Sequence, residues 1–179
     1  MVDVNNTKMV VIINGRGGVG KDTLCNIIGK HYDIMNVSSI DPIKQIAFAN
    51  GWGGEKNEKT RKFLADLKRL FIDFNDLPTK YLMDKYSEFL HSEKQILFMQ
   101  IREPKEIDKI KKMLGDNCVT LLICGRTGLR KTWGNAPDDE VDHYTYDFYY
   151  KNSKSLDVLE QDFLQFFKEM MSTCKKEEN

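Results

Sequence analysis

The residues whose types and spacing could do chemistry are concentrated in Gly15-Arg16-Gly17-Gly18-Val19-Gly20-Lys21. A short apolar run, Met9 to Ile13, precedes them, and Leu24, Ile27 and Ile28 follow at helical spacing. Strand, glycine turn, lysine and helix is the layout of a loop that cradles phosphate. Glycines let successive backbone N–H groups face an anion without Cβ clashes. The helix that follows points its positive end at the same place. Lys21 adds a mobile point charge for the β- and γ-phosphates of a nucleoside triphosphate. The loop from Gly15 through Arg16, Gly17, Gly18, Val19 and Gly20 to Lys21, with Asp22 and Thr23 behind it, is therefore the expected nucleotide site, for ATP with Mg²⁺.

A dinucleotide fold competes for the same residues. Gly15, Gly17 and Gly20 satisfy G-x-G-x-x-G, and Asp41 stands where a ribose-binding acid would. That fingerprint needs no lysine after its last glycine, whereas a phosphate loop does. Asp22 occupies the position where a hydroxyl residue usually ligates Mg²⁺, and Thr23 comes next. A carboxylate there can hold the metal, directly or through water, so Asp22 and Thr23 are the metal candidates.

These groups need positioning elements. The spacing predicts a strand over 8–14, a helix over 21–31 and a short strand over 34–38. Asp41 is expected to cap a helix that opens at Pro42 and runs to about Asn50, closed by Gly51-Trp52-Gly53-Gly54. A long helix over 58–74 carries Phe63, Leu67, Leu70, Phe71 and Phe74 on one face. Arg61, Lys62, Lys68 and Arg69 on that segment read mostly as a solvated face. After Leu77-Pro78, Thr79 is expected to cap a helix with Leu82, Met83, Tyr86, Phe89 and Leu90 inward. Strands are expected at 96–101, 119–124 and 146–150, with a helix from Pro104 to a C-cap at Gly115. Ser155 is expected to cap a last helix whose face is Leu156, Leu159, Phe163, Phe166, Phe167 and Met170, and 175–179 reads as a frayed tail. Alternating strands and helices imply an α/β fold, with a mostly parallel sheet covered on both faces. Ligands in such a fold sit beyond the carboxyl ends of the strands. Asp41, Arg102 and Arg126 all fall at such ends, beside the glycine loop. Arg126, Arg130 and Lys131 share a polar stretch with Gly128 and Gly134 that reads as a water-excluding lid over about 126–143.

The chain has 179 residues, 41% of them hydrophobic, which is one domain with a full core. Its 27 basic and 27 acidic residues balance, which argues against a nucleic-acid partner. Cys25, Cys118, Cys124 and Cys174 show no C-x-x-C pairing and read as reduced, packed thiols. No segment has the length of a membrane span, and the opening residues lack a signal layout, so the expected compartment is the cytoplasm. His31, His91 and His143 show no metal spacing.

With those motifs on the page, the chain resembles phage- and bacterial-type deoxynucleoside monophosphate kinases, within the wider P-loop nucleoside monophosphate kinase group. Gly20-Lys21-Asp22-Thr23 is similar to that family's unusual loop ending. Asp41-Pro42-Ile43-Lys44-Gln45-Ile46-Ala47 and Thr60-Arg61-Lys62-Phe63-Leu64 are similar to its acceptor-site segments. Gln100-Ile101-Arg102-Glu103-Pro104-Lys105-Glu106 is similar to Asp-x-Arg-Phe-Pro-Asn-Glu. Arg126, Asp139-Glu140 and Asn152 are similar to the lid and terminal segment. The chain departs from the pattern at Gln100, where the family has a Walker B acid, and at Glu103, where it has Phe.

The resemblance implies a three-layer P-loop fold spanning 1–179, with a helical acceptor-binding insert at about 41–94. It implies phosphoryl transfer from ATP to a small phosphate monoester, most plainly a (deoxy)nucleoside monophosphate, by a monomer or homodimer. Lys21, Arg102, Arg126 and Arg130 would be catalytic, and Asp41, Lys44, Arg61, Arg102 and Glu140 would bind the acceptor. Two alternatives stay open. One is the same fold with another acceptor, such as phosphomevalonate or dephospho-coenzyme A. The other is a nucleotide-binding module without efficient turnover.

Overall fold

The computed structural model describes residues 8–125, 141 and 144–177. Strand β1, Met9–Asn14, is apolar until its last residue and lies at the centre of a five-stranded sheet. Helix α1, Lys21–Gly29, follows the glycine loop, and β2, Ile34–Ser38, comes next. Three helices then precede the third strand: α2 over Asp41–Ala49, α3 over Glu58–Asn75 and α4 over Leu77–Leu90. Strand β3 is Ile96–Gln100, and α5 is Pro104–Leu114. Beyond them lie β4, Cys118–Cys124, β5, Phe148–Lys151, and a last helix α6, Leu156–Glu177.

All four strand pairings are parallel, in the order β2-β3-β1-β4-β5. This is the α/β architecture expected of the sequence. It also decides against the dinucleotide reading. In the doubly wound dinucleotide order the first strand pairs with the second, whereas here β3 stands between them.

Strand alternation divides the core in two. Val10, Ile12, Leu97 and Met99 face Leu82 and Phe89 of α4 and Ile107 and Ile110 of α5. Val11, Ile13, Phe98 and Leu121 face Leu24 and Ile28 of α1 and Phe163 and Phe167 of α6. Each fully buried side chain of this size contributes about 1.5–3 kcal/mol of transfer free energy. β1 is thus apolar on both faces, the pattern of a central parallel strand.

Several expectations need correction. Asp41 is not the cap of α2, because Ile40 holds that position and the Asp41 Oδ2 accepts from the Ser38 N–H at 2.7 Å. Helix α4 opens at Leu77 rather than at Thr79, and Asp76, in a left-handed conformation, precedes it. Phe63, Leu70 and Phe74 of α3 stay exposed, as do Leu90 and Leu156. Helix α6 runs to Glu177, and 178–179 of the expected frayed tail lie outside the described residues. The last strand begins at Phe148, two residues later than expected, because Tyr146 and Asp147 are used as anchors.

Asp147 joins β4 to the start of β5. Its Oδ2 accepts from the Thr120 N–H and hydroxyl, both at 2.8 Å, and Lys111 Nζ lies 3.1 Å away. Burial alone pushes the Asp147 carboxyl up, but the Thr120 and Lys111 hydrogen bonds outweigh it and hold it below its ordinary 3.8. A depressed folded value means that this contribution is fully present above the ordinary value and is lost as pH falls through the folded one. Thr120 is fully buried, so Asp147→Ala strands its donors and should cost about 1–3 kcal/mol at neutral pH. Urea midpoints should show that deficit shrinking in acid, where the wild-type carboxylate is itself protonated.

Candidate functional site

The glycine loop leaves the sheet between two strands, and its geometry follows from that crowding. A Cβ on Gly15 would lie 2.7 Å from the Ile123 carbonyl of β4. Gly20, with φ of 92°, would place one 2.7 Å from Asn152 Nδ2, which donates to the Val19 carbonyl at 2.8 Å. Only glycine fits at either position. Asn14 anchors the start of the loop. Its Oδ1 accepts from the Gly15 N–H at 2.7 Å, and its Nδ2 donates to the Arg102 carbonyl at 3.0 Å and to the Tyr146 hydroxyl at 2.8 Å. Tyr146 in turn donates to the Val141 carbonyl at 3.0 Å. The polar residue that closes an otherwise apolar strand was the sequence signal for this anchor.

Beyond the strand ends lies a cleft of about 790 Å³. Gly17, Gly18, Gly20, Lys21, Asp22 and Thr23 form its floor, whereas Gly15, Arg16 and Val19 do not line it. Gly15 is buried beneath the loop, and Val19 packs against the core. Lys21 Nζ folds back to donate to the Gly15 carbonyl and, at 3.3 Å, to that of Arg16. The opposite wall comes from two helix faces. Asp41, Lys44 and Phe48 project from α2, and Arg61, Leu64, Ala65 and Lys68 from α3. Both sets follow helical spacing. Arg102 and Glu103 reach the cleft from the end of β3. The structure therefore brings Lys21, Asp22, Thr23, Asp41, Lys44, Arg61 and Arg102 together. Arg126, Arg130, Glu140 and the expected lid over about 126–143 lie outside the described residues, apart from Val141.

Gln100 sits at the expected Walker B position and touches the metal candidate. Its Nε2 donates to Asp22 Oδ1 at 2.7 Å and to Asn36 Oδ1 at 3.1 Å. Among the described residues no group of three His, Cys, Asp or Glu side chains could hold a metal ion. One carboxylate and one hydroxyl, Asp22 and Thr23, still fit Mg²⁺ of the kind carried mainly by phosphate oxygens and water. The thiol behind them is inert. Burial, and then the Asp22 carboxylate, push Cys25 up to about 12, which leaves no thiolate at neutral pH.

Lys68, read from sequence as a solvated charge, is a correction of another kind. It is 4% exposed and is the one buried residue of α3. Its Nζ donates to Ser39 Oγ at 2.9 Å and to Glu103, and lies 3.4 Å from Glu106 Oε2. Burial pushes the Glu106 carboxyl up, and Lys68 opposes that shift. Glu103 and Glu106, three apart at the head of α5, were the only sequence hint, because the partner both of them face, Lys68, lies far away in the chain. Lys68 thus ties α3 to the segment that carries Arg102.

No sequence-family model and no curated protein matches this chain. Solved structures do. A crystal structure of TT1252 from Thermus thermophilus superposes with a TM-score of 0.53 at 20% identity, covering 91% of this chain and 98% of that one. A gluconokinase from Sinorhizobium meliloti 1021 gives 0.52 at 13% identity, over 98% of this chain and 100% of that one. A shikimate kinase from Aquifex aeolicus vf5 gives 0.51 at 11% identity, over 89% and 96%. At such identities the likeness is one of fold. The chain has the P-loop kinase fold over nearly its whole length.

Removing one member of the buried Lys68 network leaves carboxylates without their counter-charge. Lys68→Ala should destabilise the protein by about 3–5 kcal/mol in urea titrations. A Lys68→Met, Glu103→Gln, Glu106→Gln triple variant, which removes charge on both sides, should recover much of that loss.

Proposed function

We propose that this protein transfers the γ-phosphate of ATP to a small phosphate monoester, most specifically a (deoxy)nucleoside monophosphate. One observation carries the reading: a glycine loop with Lys21 faces Lys44, Arg61 and Arg102 across a single cleft. Phosphoryl transfer asks a protein for positioning and charge neutralisation more than for covalent chemistry. The loop amides and Lys21 hold the β- and γ-phosphates. For Lys21 this means giving up the Gly15 and Arg16 carbonyls, a change that costs little because the new partners are charged. Lys44 and Arg61 bind the acceptor phosphate, and Arg102, at the end of β3, is placed to meet charge on the transferred group. An acceptor phosphate is already anionic at neutral pH, so no general base is needed. Mg²⁺, when bound with the nucleotide, would neutralise phosphate charge, and Asp22 and Thr23 are the residues that would hold it. Arg126, Arg130 and Glu140 complete the proposal as lid and acceptor groups, and 41–94 as the acceptor-binding insert. The kinase names of the similar structures support the general reaction, and the motif resemblance supports the nucleotide acceptor. No described helix is long and apolar enough to cross a membrane; the cytoplasm is the proposed setting.

One observation favours a second reading. The Gln100 amide, not a carboxylate, faces Asp22, so a module that binds nucleotide without efficient turnover is the rival. An ADP-release assay over a panel of monophosphates separates the two. Acceptor-stimulated turnover is the expected outcome, and Lys21→Ala should lower it at least ~100-fold. Slow ATP loss that is indifferent to acceptor, with calorimetric binding of Mg·ATP intact, would favour the module. Full activity in Lys21→Ala would refute the site.

A further inference from the structure

Phe48 is an apolar side chain left 53% exposed inside a concave site that also carries Lys21, Lys44, Arg61 and Arg102. Single exposed apolar residues on a convex surface need no account, but one in a cleft is a candidate for ligand contact. Its position on α2 is ordered. Asp41, Lys44 and Phe48 rise along one face from the end of β2, so Phe48 stands about 10 Å beyond Asp41 along the axis. That is the order of length separating the 5′-phosphate of a nucleotide from its base.

Trp52 completes the feature. Its ring centroid lies 4.4 Å from that of Phe48, with the planes tilted by 37°. The backbone fixes this pair. Trp52 N–H donates to the Ala47 carbonyl at 3.0 Å and Gly51 N–H to that of Phe48 at 3.2 Å, with Gly51 at φ 92°. The backbone then passes along the Phe48 ring at Gly54, where a Cβ would lie 3.6 Å from Phe48 Cε1 and Cζ. Both rings line the cleft. The Trp52 Nε1 is covered and has no hydrogen-bond partner among the described residues. Indole N–H is a donor only, and a covered donor without an acceptor is unfavourable. Residues 55–57, which follow in the chain, are exposed, so the segment can yield to a ligand that brings an acceptor atom.

We infer that Phe48 and Trp52 form an aromatic shelf that reads the base of the nucleoside monophosphate acceptor, with Trp52 Nε1 donating to a ring acceptor atom. Both residues are specificity-determining for the reaction proposed above, and the inference rests on that reading. A base offers the planar face that stacks on aromatic side chains and the lone pairs that the indole lacks. A sugar phosphate or an aliphatic acid phosphate has oxygen acceptors but no planar aromatic face to stack on the shelf.

The test uses the full chain with Trp133→Phe, which leaves Trp52 as the one tryptophan. Emission is followed with Mg·ADP at saturation while nucleoside 5′-monophosphates or ribose 5-phosphate are added. Nucleoside monophosphates should quench Trp52 saturably, and ribose 5-phosphate should not. In steady-state assays Phe48→Ala and Trp52→Ala should raise the acceptor KM about tenfold with the KM for ATP unchanged. Trp52→Phe, which keeps a ring and loses the donor, should fall between. No quench with any nucleoside monophosphate, equal response to ribose 5-phosphate, or unchanged acceptor KM in both alanine variants would overturn the shelf. Lys21→Ala distinguishes the failures: if it abolishes turnover while the alanine variants behave as wild type, the shelf alone is wrong. If Lys21→Ala is as active as wild type, the kinase reading falls too.

Discussion

The site depends on how Asn14 ends β1. A phosphate loop must leave the middle of a parallel sheet, where the backbone is shielded from water and every polar group needs a partner. Asn14 is fully buried and spends both ends of its amide there, on the Gly15 N–H, the Arg102 carbonyl and the Tyr146 hydroxyl. One side chain therefore fixes the start of the loop, the end of β3 and the segment leading to β5. Asn152 does the same on the other side, with its N–H on the Cys124 carbonyl at 2.9 Å and its Nδ2 on that of Val19. The loop is held by its surroundings rather than by its own hydrogen bonds, of which Val19 N–H to the Arg16 carbonyl at 3.3 Å is a long one. Preorganised donors of that kind are what charge stabilisation requires.

The three helices between β2 and β3 are attached by different forces. Helix α4 buries Leu82 and Phe89 against the sheet. Helix α3 packs on α2 and α4, but the one residue it buries is Lys68, held by carboxylate partners at the head of α5. Apolar packing tolerates small sliding, whereas a buried ion pair is bistable: it is made or it is broken, at high cost. A helix carrying Arg61 on a charged tether has its distance from Arg102 set by geometry rather than by area. Buried ion pairs add little net stability, so its use here is better understood as register.

Much of this was legible beforehand, and the reason is physical. β1, α1, β2, β3, α5 and β4 follow from runs of apolar residues whose period matches the element, because each is clamped on the core. Glycine spacing announced the loop because only glycine can take those conformations. Two expectations failed where a polar group had a distant partner: Lys68 looked solvated, and Tyr146 looked like strand. Asp41 failed locally, because its carboxylate accepts from the Ser38 N–H three residues back instead of capping α2. Phe63, Leu70 and Phe74 made a good helical stripe, yet a stripe reports amphipathicity and not what covers it.

The sequence by itself determined the alternation of strand and helix, the phosphate loop and the cations at the strand ends, since these depend on local geometry and periodicity. Tertiary structure alone decided the strand order that excludes a dinucleotide fold, the Gln100–Asp22 contact across 78 residues and the burial of Lys68. Each of those joins groups whose meeting is set by packing of whole elements, and no local pattern in the chain encodes the partner.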